Sequence, residues 1–208
     1  MKLKWINHAC VEVMTNNGKV IYFDPFQLSG DLDKADIVLI SHDHPDHLSI
    51  DDIKKVADSN TTIVIPKTCN LEGDFKVIKM EIGSSEDING IKIEAVPSYT
   101  DKLPTHPKEN EWNGYIINAD GNRIYHAGDT GEMVEMCDLK DIDVACIPVG
   151  GQYTMGFEEA TDCVKKMIPK IVVPIHNWDK PLEPFKEMVE KELPNVKVEI
   201  LSNKTLEL

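Results

Sequence analysis

Three imidazoles and two carboxylates fall within the seven residues Ser41-His42-Asp43-His44-Pro45-Asp46-His47, an HxHxDH pattern. Neutral imidazole is the commonest metal ligand among the side chains. In an extended segment residues i and i+2 lie on the same side, so His42 and His44 can grip one ion together. Asp46 and His47, just beyond, can face a second ion, while Asp43 points the other way, toward solvent. Two cations about 3.5–4 Å apart lower the pKa of a bridging water and stabilise the oxyanion that forms when it attacks. Metal-bound water can reach a pKa of about 7, so such a centre needs no separate strong base.

Other elements must bring distant residues to this segment. Strand patterns open the chain at residues 3–6, 11–14 and 20–23, with Asn16-Asn17-Gly18 as a hairpin turn. Residues 37–40 are wholly apolar, which suits a strand buried on both faces, and they run straight into the HxHxDH segment. A helical pattern follows from residue 49 to about residue 58. Further strand patterns lie at 62–65, 75–80, 91–96, 114–118, 123–126 and 144–149. A helix is then expected over 157–167, a strand over 171–175, a helix over 183–193 and a last strand over 196–201. The alternation predicts two sheets with helices outside. Five of the seven histidines, His42, His44, His47, His126 and His176, fall at or near strand ends. Residues 98–112 form the one long loop without a core pattern; such loops are often functional, and this one carries His106. No segment has the composition of a linker, so residues 1–208 are expected to form one domain.

Taken in order, Asp24-Pro25-Phe26, the HxHxDH segment, Gly128-Asp129-Thr130 and Pro174-Ile175-His176 make the sequence resemble the metallo-β-lactamase superfamily over nearly its whole length. Asn7-His8-Ala9-Cys10 and Gly150-Gly151-Gln152-Tyr153-Thr154-Met155-Gly156 are most similar to the branch of small bacterial and archaeal hydrolases related to ascorbate phosphate lactonase. The resemblance implies an α/β fold, a four-layer αββα sandwich. It also implies a binuclear metal-dependent hydrolase, using a metal-bridging hydroxide on an ester, lactone or phosphoester of a small molecule. His42, His44 and a third histidine would hold the first ion, Asp46, His47 and His176 the second, and Asp129 would bridge them.

Many relatives place the third histidine directly after the strand matching residues 91–96, where this chain reads Pro97-Ser98-Tyr99. His106 is the nearest candidate. The alternative is a solvated loop histidine, with the first ion held by His42, His44, Asp129 and water. Asp24 resembles the carboxylate that accepts a ring N–H from a ligand histidine and fixes its tautomer, although Asp before Pro is also a turn residue. His8 lies near the pocket in similar sequences, where it could donate to substrate or equally cap a turn; Asp46 and His8 are the candidate catalytic residues. Zn2+ is the default metal, and Mn2+ or Fe2+ suits the same donors.

Among the remaining residues, His126 is expected to pack inside its strand and Thr130 to cap a short helix over 132–136. Gly150 and Gly151 can bring backbone N–H groups or the Tyr153 hydroxyl toward a substrate oxygen. Trp112 and Trp178 are expected as pocket wall, and Cys10 has a weak claim as a ligand.

Composition narrows the function classes. A chain of 208 residues, 41% hydrophobic, buries enough surface to fold without disulfides or a structural metal, so a bound metal is functional. With 22 basic against 36 acidic residues the net charge is −14, which repels phosphate backbones and anionic membranes and excludes nucleic acid as a partner. A small anionic substrate can still be drawn by the field of two cations. Five cysteines at wide spacings, without a CxxC pair, read as reduced thiols in a cytoplasmic protein. No stretch approaches the 18 apolar residues of a membrane span, and no pattern specifies an oligomeric state. Beside the hydrolase stand a non-catalytic metal-binding or interaction module and, less favoured, a di-iron redox enzyme. Redox relatives usually replace a histidine of the first motif by a carboxylate and add a flavin domain, which this chain lacks room for.

Overall fold

The computed structural model describes residues 1–102, 104–202 and 204–208. The first sheet takes β1 (Lys2–Asn7), β2 (Cys10–Met14), β3 (Val20–Phe23), β4 (Ile37–Leu39), β5 (Thr62–Pro66) and β6 (Lys76–Met80). The second takes β7 (Ser85–Ile88), β8 (Ile91–Pro97), β9 (Asn113–Ala119), β10 (Asn122–His126), β11 (Val144–Pro148), β12 (Ile171–Ile175) and β13 (Lys197–Val198). The chain then returns to the first sheet as β14 (Thr205–Glu207), antiparallel to β1. Helices α1 (Ile50–Val56), α2 (Val134–Cys137), α3 (Phe157–Met167) and α4 (Glu183–Glu192), with a 3-10 turn at Lys108–Asn110, complete the described elements.

The sheets are built alike. Their strand orders are β14-β1-β2-β3-β4-β5-β6 and β13-β12-β11-β10-β9-β8-β7. In each, one half is an antiparallel meander and the other runs parallel, from β3 to β6 and from β10 to β13.

Strand alternation sets the layers, because successive side chains point to opposite faces. Ile21 and Phe23 of β3, Val64 of β5 and Val144 and Cys146 of β11 meet in the seam between the sheets. Their neighbours turn outward. Val20, Tyr22, Ile63 and Ile65 pack with Ile53 and Val56 of α1; Ala145 and Ile147 pack with Cys163 and Val164 of α3 and Phe185 and Val189 of α4. The result is the four-layer αββα sandwich. β4 is apolar throughout because both its faces are covered. Pro174 is tolerated inside β12 because β13 pairs only with Ile171 and Val172, leaving the rest of that edge free of a ladder.

Several expectations need correction. The final strand pattern over 196–201 shrinks to Lys197–Val198, while β7, with two acidic residues of four, and β14, only three residues long, are strands that the sequence pattern does not announce. Thr130 does not cap α2: that helix starts after Met133, and the Thr130 hydroxyl lies 2.8 Å from the Tyr99 carbonyl and 3.0 Å from that of Gly131. The five cysteines are not all free. Cys137 of α2 and Cys163 of α3 form a disulfide with Cα atoms 4.9 Å apart, and Cys10, Cys69 and Cys146 are buried thiols. Among the described residues no helix is long and apolar enough to cross a membrane.

Candidate metal centre

The carboxyl ends of the parallel strands gather at one edge of the sandwich, the place where open α/β sheets collect ligands. β3 ends at Asp24, β4 leads through Ile40 and Ser41 into the HxHxDH segment, β10 leads to Asp129 and β12 to His176; the turn between β1 and β2 adds His8. Within the HxHxDH segment the amides of His47 and Leu48 both donate to the His44 carbonyl, at 3.0 and 2.8 Å. This turn separates Asp46 and His47 from the extended His42–His44 pair. His8, Asp24 and His176 adopt left-handed backbone, with φ of 44°, 43° and 49°. Such conformations are sparsely populated by non-glycine residues and concentrate at functional sites.

Donor atoms converge in three sets, each within 4.8 Å: His42, His44 and His106; His8, Asp46, His47 and His176; and His42, His47 and Asp129. The Asp129 carboxylate stands between the first two. Its Oδ1 is 3.4 Å from His47 Nε2, and its Oδ2 is 3.4 Å from His106 Nε2 and 3.0 Å from His176 Nε2. His106 therefore lies with His42 and His44, buried rather than solvated. His8 Nε2 lies 3.0 Å from Asp46 Oδ2 at the open side.

Asp24 organises the rings from behind. Its Oδ2 accepts from His47 Nδ1 at 2.8 Å and from the Ser41 hydroxyl at 2.7 Å, and its Oδ1 accepts from the Ser41 amide at 2.7 Å. Since the Ser41 proton points at Asp24, the Ser41 oxygen accepts from His42 Nδ1, 2.8 Å away. Protons on both Nδ1 atoms leave Nε2 of His42, and of His47 in its neutral form, as the lone pair facing inward. Gly128 permits the close approach of the two sheets here: it has φ of 62°, and a Cβ on it would lie 2.8 Å from Ser41 Cβ.

Electrostatics keep His42, His44, Asp46 and Asp129 in ligating form and leave on His47 a proton that an arriving cation would displace. Burial, reinforced by His47, holds His42 well below the usual imidazole range, and burial with His106 lowers His44. Burial opposes ionisation of Asp129, but His47 and His176 outweigh it and hold the carboxyl well below its ordinary value. Burial likewise disfavours charge on His47, yet Asp129 and Asp24 raise it well above the ordinary value. Asp46, disfavoured by burial but hydrogen-bonded to His8, sits at about 2. Nε2 of His47, His106 and His176 and Oδ1 of Asp129 are buried without a hydrogen-bond partner. Buried polar atoms are normally paired, so four orphaned acceptors and donors around one point fit a cation site.

Trp112 walls the first donor set, its ring 4.8, 4.9 and 5.5 Å from those of His42, His44 and His106. A cleft of about 540 Å³ opens on the other side, beside His8 and Asp46. Trp178 lines that cleft, while Tyr153 is exposed with its ring 6.2 Å from that of Trp178. Gly150 packs so closely that a Cβ on it would lie 2.5 Å from the His176 carbonyl oxygen. Cys10 belongs to none of the donor sets: it is fully buried with Tyr22 and Val38, and burial raises its thiol pKa. His126 packs on Phe23, as expected. Ser41 was not singled out from sequence; the one local signal is its position directly before His42, since its link to Asp24 exists only across strands.

Residues 2–176 match the beta-lactamase superfamily domain. A metal-dependent hydrolase of Pelotomaculum thermopropionicum is 34% identical, over 97% of this chain and 97% of its own. A crystallised protein of Parabacteroides distasonis described as a metal-dependent hydrolase superposes with a TM-score of 0.83 at 34% identity, over 96% of this chain and 91% of that one. A metallo hydrolase of the hyperthermophilic archaeon Ignicoccus hospitalis gives 0.80 at 26% identity, over 100% and 98%.

Proposed function

Since the chain belongs to the beta-lactamase superfamily and is a metal-dependent hydrolase, we propose that residues 1–208 form one catalytic domain with a binuclear centre. Its reaction is cleavage of an ester, lactone or phosphoester bond of a small molecule. The lactonase-like branch that its sequence resembles offers one precedent.

We assign His42, His44 and His106 to the first ion, Asp46, His47 and His176 to the second, and Asp129 to both. The observation that carries this reading is the set of buried, partnerless atoms on His47, His106, His176 and Asp129. Each such atom costs roughly 1–3 kcal/mol when left unpaired, and a cation takes up their lone pairs. The imidazole-rich first set favours Zn2+, with Mn2+ or Fe2+ suited to the same donors.

Bound divalent cations would supply Lewis acidity, bringing the pKa of water toward about 7 and stabilising negative charge as it develops on the substrate. The chain's own residues do the rest. Asp24 and Ser41 hold the rings of His47 and His42 in one tautomer. Asp129 stays ionised among the imidazoles. His8, held by Asp46 Oδ2 at the mouth of the cleft, meets the substrate and passes a proton to the leaving oxygen. The oxygen of water joins the acyl or phosphoryl centre, the bond to the leaving oxygen breaks, His8 recovers its proton from the water consumed, and an acid and an alcohol, or from a lactone one hydroxy acid, are released.

Elemental analysis of purified protein, followed by a panel of lactones, esters and phosphodiesters, tests the proposal. Two equivalents of metal are expected, with turnover lost on chelation and in a His44→Ala, Asp46→Ala double variant. Full turnover with a single equivalent would overturn the binuclear reading, and full turnover by the double variant would overturn the ligand assignment.

A further inference from the structure

We infer that the part of the substrate remote from the scissile bond is an uncharged aromatic group, seated in the cleft beside His8. This rests on the hydrolytic reading above and adds the substrate class.

The cleft has a volume of about 540 Å³, within the range of pockets that hold small ligands. Trp5, Phe26 and Trp178 form its apolar surface. The rings of Phe26 and Trp178 lie 5.6 and 5.4 Å from the ring of His8, so a flat group between them would point its reacting bond at the metal centre. Trp178 is 46% exposed. Its φ is 50°, that of Asp179 directly after it is 57° and that of His176 two residues before it is 49°, so left-handed backbone on both sides of Asn177 presents the indole to solvent. The exposed ring of Tyr153 lies 6.2 Å away, so the indole belongs to an exposed aromatic patch at the cleft and not to a lone surface side chain.

Charge decides what the ring carries. Among the described residues that line the cleft none is Lys or Arg, and the carboxylates there are Asp46 and Asp179. Lys180, next in the chain, donates instead to the Gly150 carbonyl. Asn7 Oδ1, also at the cleft, is a buried acceptor without a partner. With Asp46 assigned to the second ion, an anionic tail would meet the Asp179 carboxylate and the Asn7 carbonyl; a neutral ring meets aromatic faces. The attraction that cations offer an anion is confined to the reacting end.

Metal-loaded protein is assayed with phenyl acetate and with 4-acetoxybenzenesulfonate, each rate divided by that of alkaline hydrolysis to remove the better leaving group of the sulfonate, which is also a weak metal ligand. The neutral ester is expected to have a kcat/KM at least about tenfold higher. Trp178→Ala should erase most of that advantage through KM, and Asp179→Lys should raise use of the sulfonate. Equal or better use of the sulfonate ester by the unmodified protein, or an unchanged KM in Trp178→Ala, would overturn the inference. Ligand-observed NMR with phenol and 4-hydroxybenzenesulfonate reads the preference without turnover: selective binding of phenol, lost in Trp178→Ala, supports it, and selective binding of the sulfonate overturns it. Selective phenol binding with no hydrolysis of any ester, lactone or phosphodiester would overturn the hydrolytic proposal and leave the cleft assignment standing.

Discussion

The buried ring of His126 donates through Nε2 to the carbonyl of Ala9 at 2.8 Å, tying β10 of one sheet to the turn of the other that presents His8. Its Nδ1 accepts from the Gly128 amide at 3.3 Å, next to Asp129. One neutral tautomer thus spans two turns of the candidate site. His126→Phe keeps the stacking on Phe23 and strands the Ala9 carbonyl, with an expected loss of about 1–3 kcal/mol in denaturant unfolding. Burial lowers the pKa of His126. The unfolded chain therefore takes up a proton below about pH 6.5 while the folded one resists it, and stability from this residue is lost as pH falls. The gap between the two proteins should be larger at pH 7.5 than at pH 5.5; a gap that widens on acidification would contradict a neutral ring.

Asp24 holds the ring of His47 directly and that of His42 through the Ser41 hydroxyl, whereas the close ring contact of Ser41 is with His42 alone. Asp24→Asn should weaken both ions by about 10–100-fold, whereas Ser41→Ala should weaken mainly the first. Competition against a chromogenic chelator measures each step, and equal losses in the Ser41 variant would show that the two sites are not separable through this hydroxyl.

The proposed first ion calls for a third imidazole, and the donor atoms of His42, His44 and His106 lie within 4.8 Å of one another. His106→Ala should reduce metal content from two equivalents toward one at limiting metal. An unchanged metal-to-protein ratio and affinity would remove His106 from the ligand set.

The bond between Cys137 and Cys163 closes a separation of 26 residues. By the loop-entropy account its removal should cost roughly 3–4 kcal/mol. Thiol titration of denatured protein should give three free thiols before reduction and five after; five at the outset would mean that the pair is reduced in the purified protein.

Much of the fold was legible because its signals are local. The apolar run before His42, the periodicity of residues 157–167 and the strand before His176 each announce themselves within a few residues, and the HxHxDH spacing carries its chemistry with it. What was hidden depends on partners far apart in the chain. β14 is a short, mostly exposed edge strand whose pairing with β1 leaves no apolar pattern. Cys137 and Cys163 meet only because α2 and α3 pack side by side. Residues 98–112 offered no periodicity from which to bring His106 to His42; the Thr100 amide donating to the His106 carbonyl at 2.8 Å folds that loop back.

The proposed donors come from both halves of the sandwich: His42, His44, Asp46 and His47 follow a strand of one sheet, and His106, Asp129 and His176 follow strands of the other. An ion held there would act as a hasp across the open edge, so heat resistance should report occupancy directly. Free metal at a hundredfold excess over its dissociation constant would add about 2.7 kcal/mol per site, enough for a simple melting curve to rank candidate ions before any substrate is known.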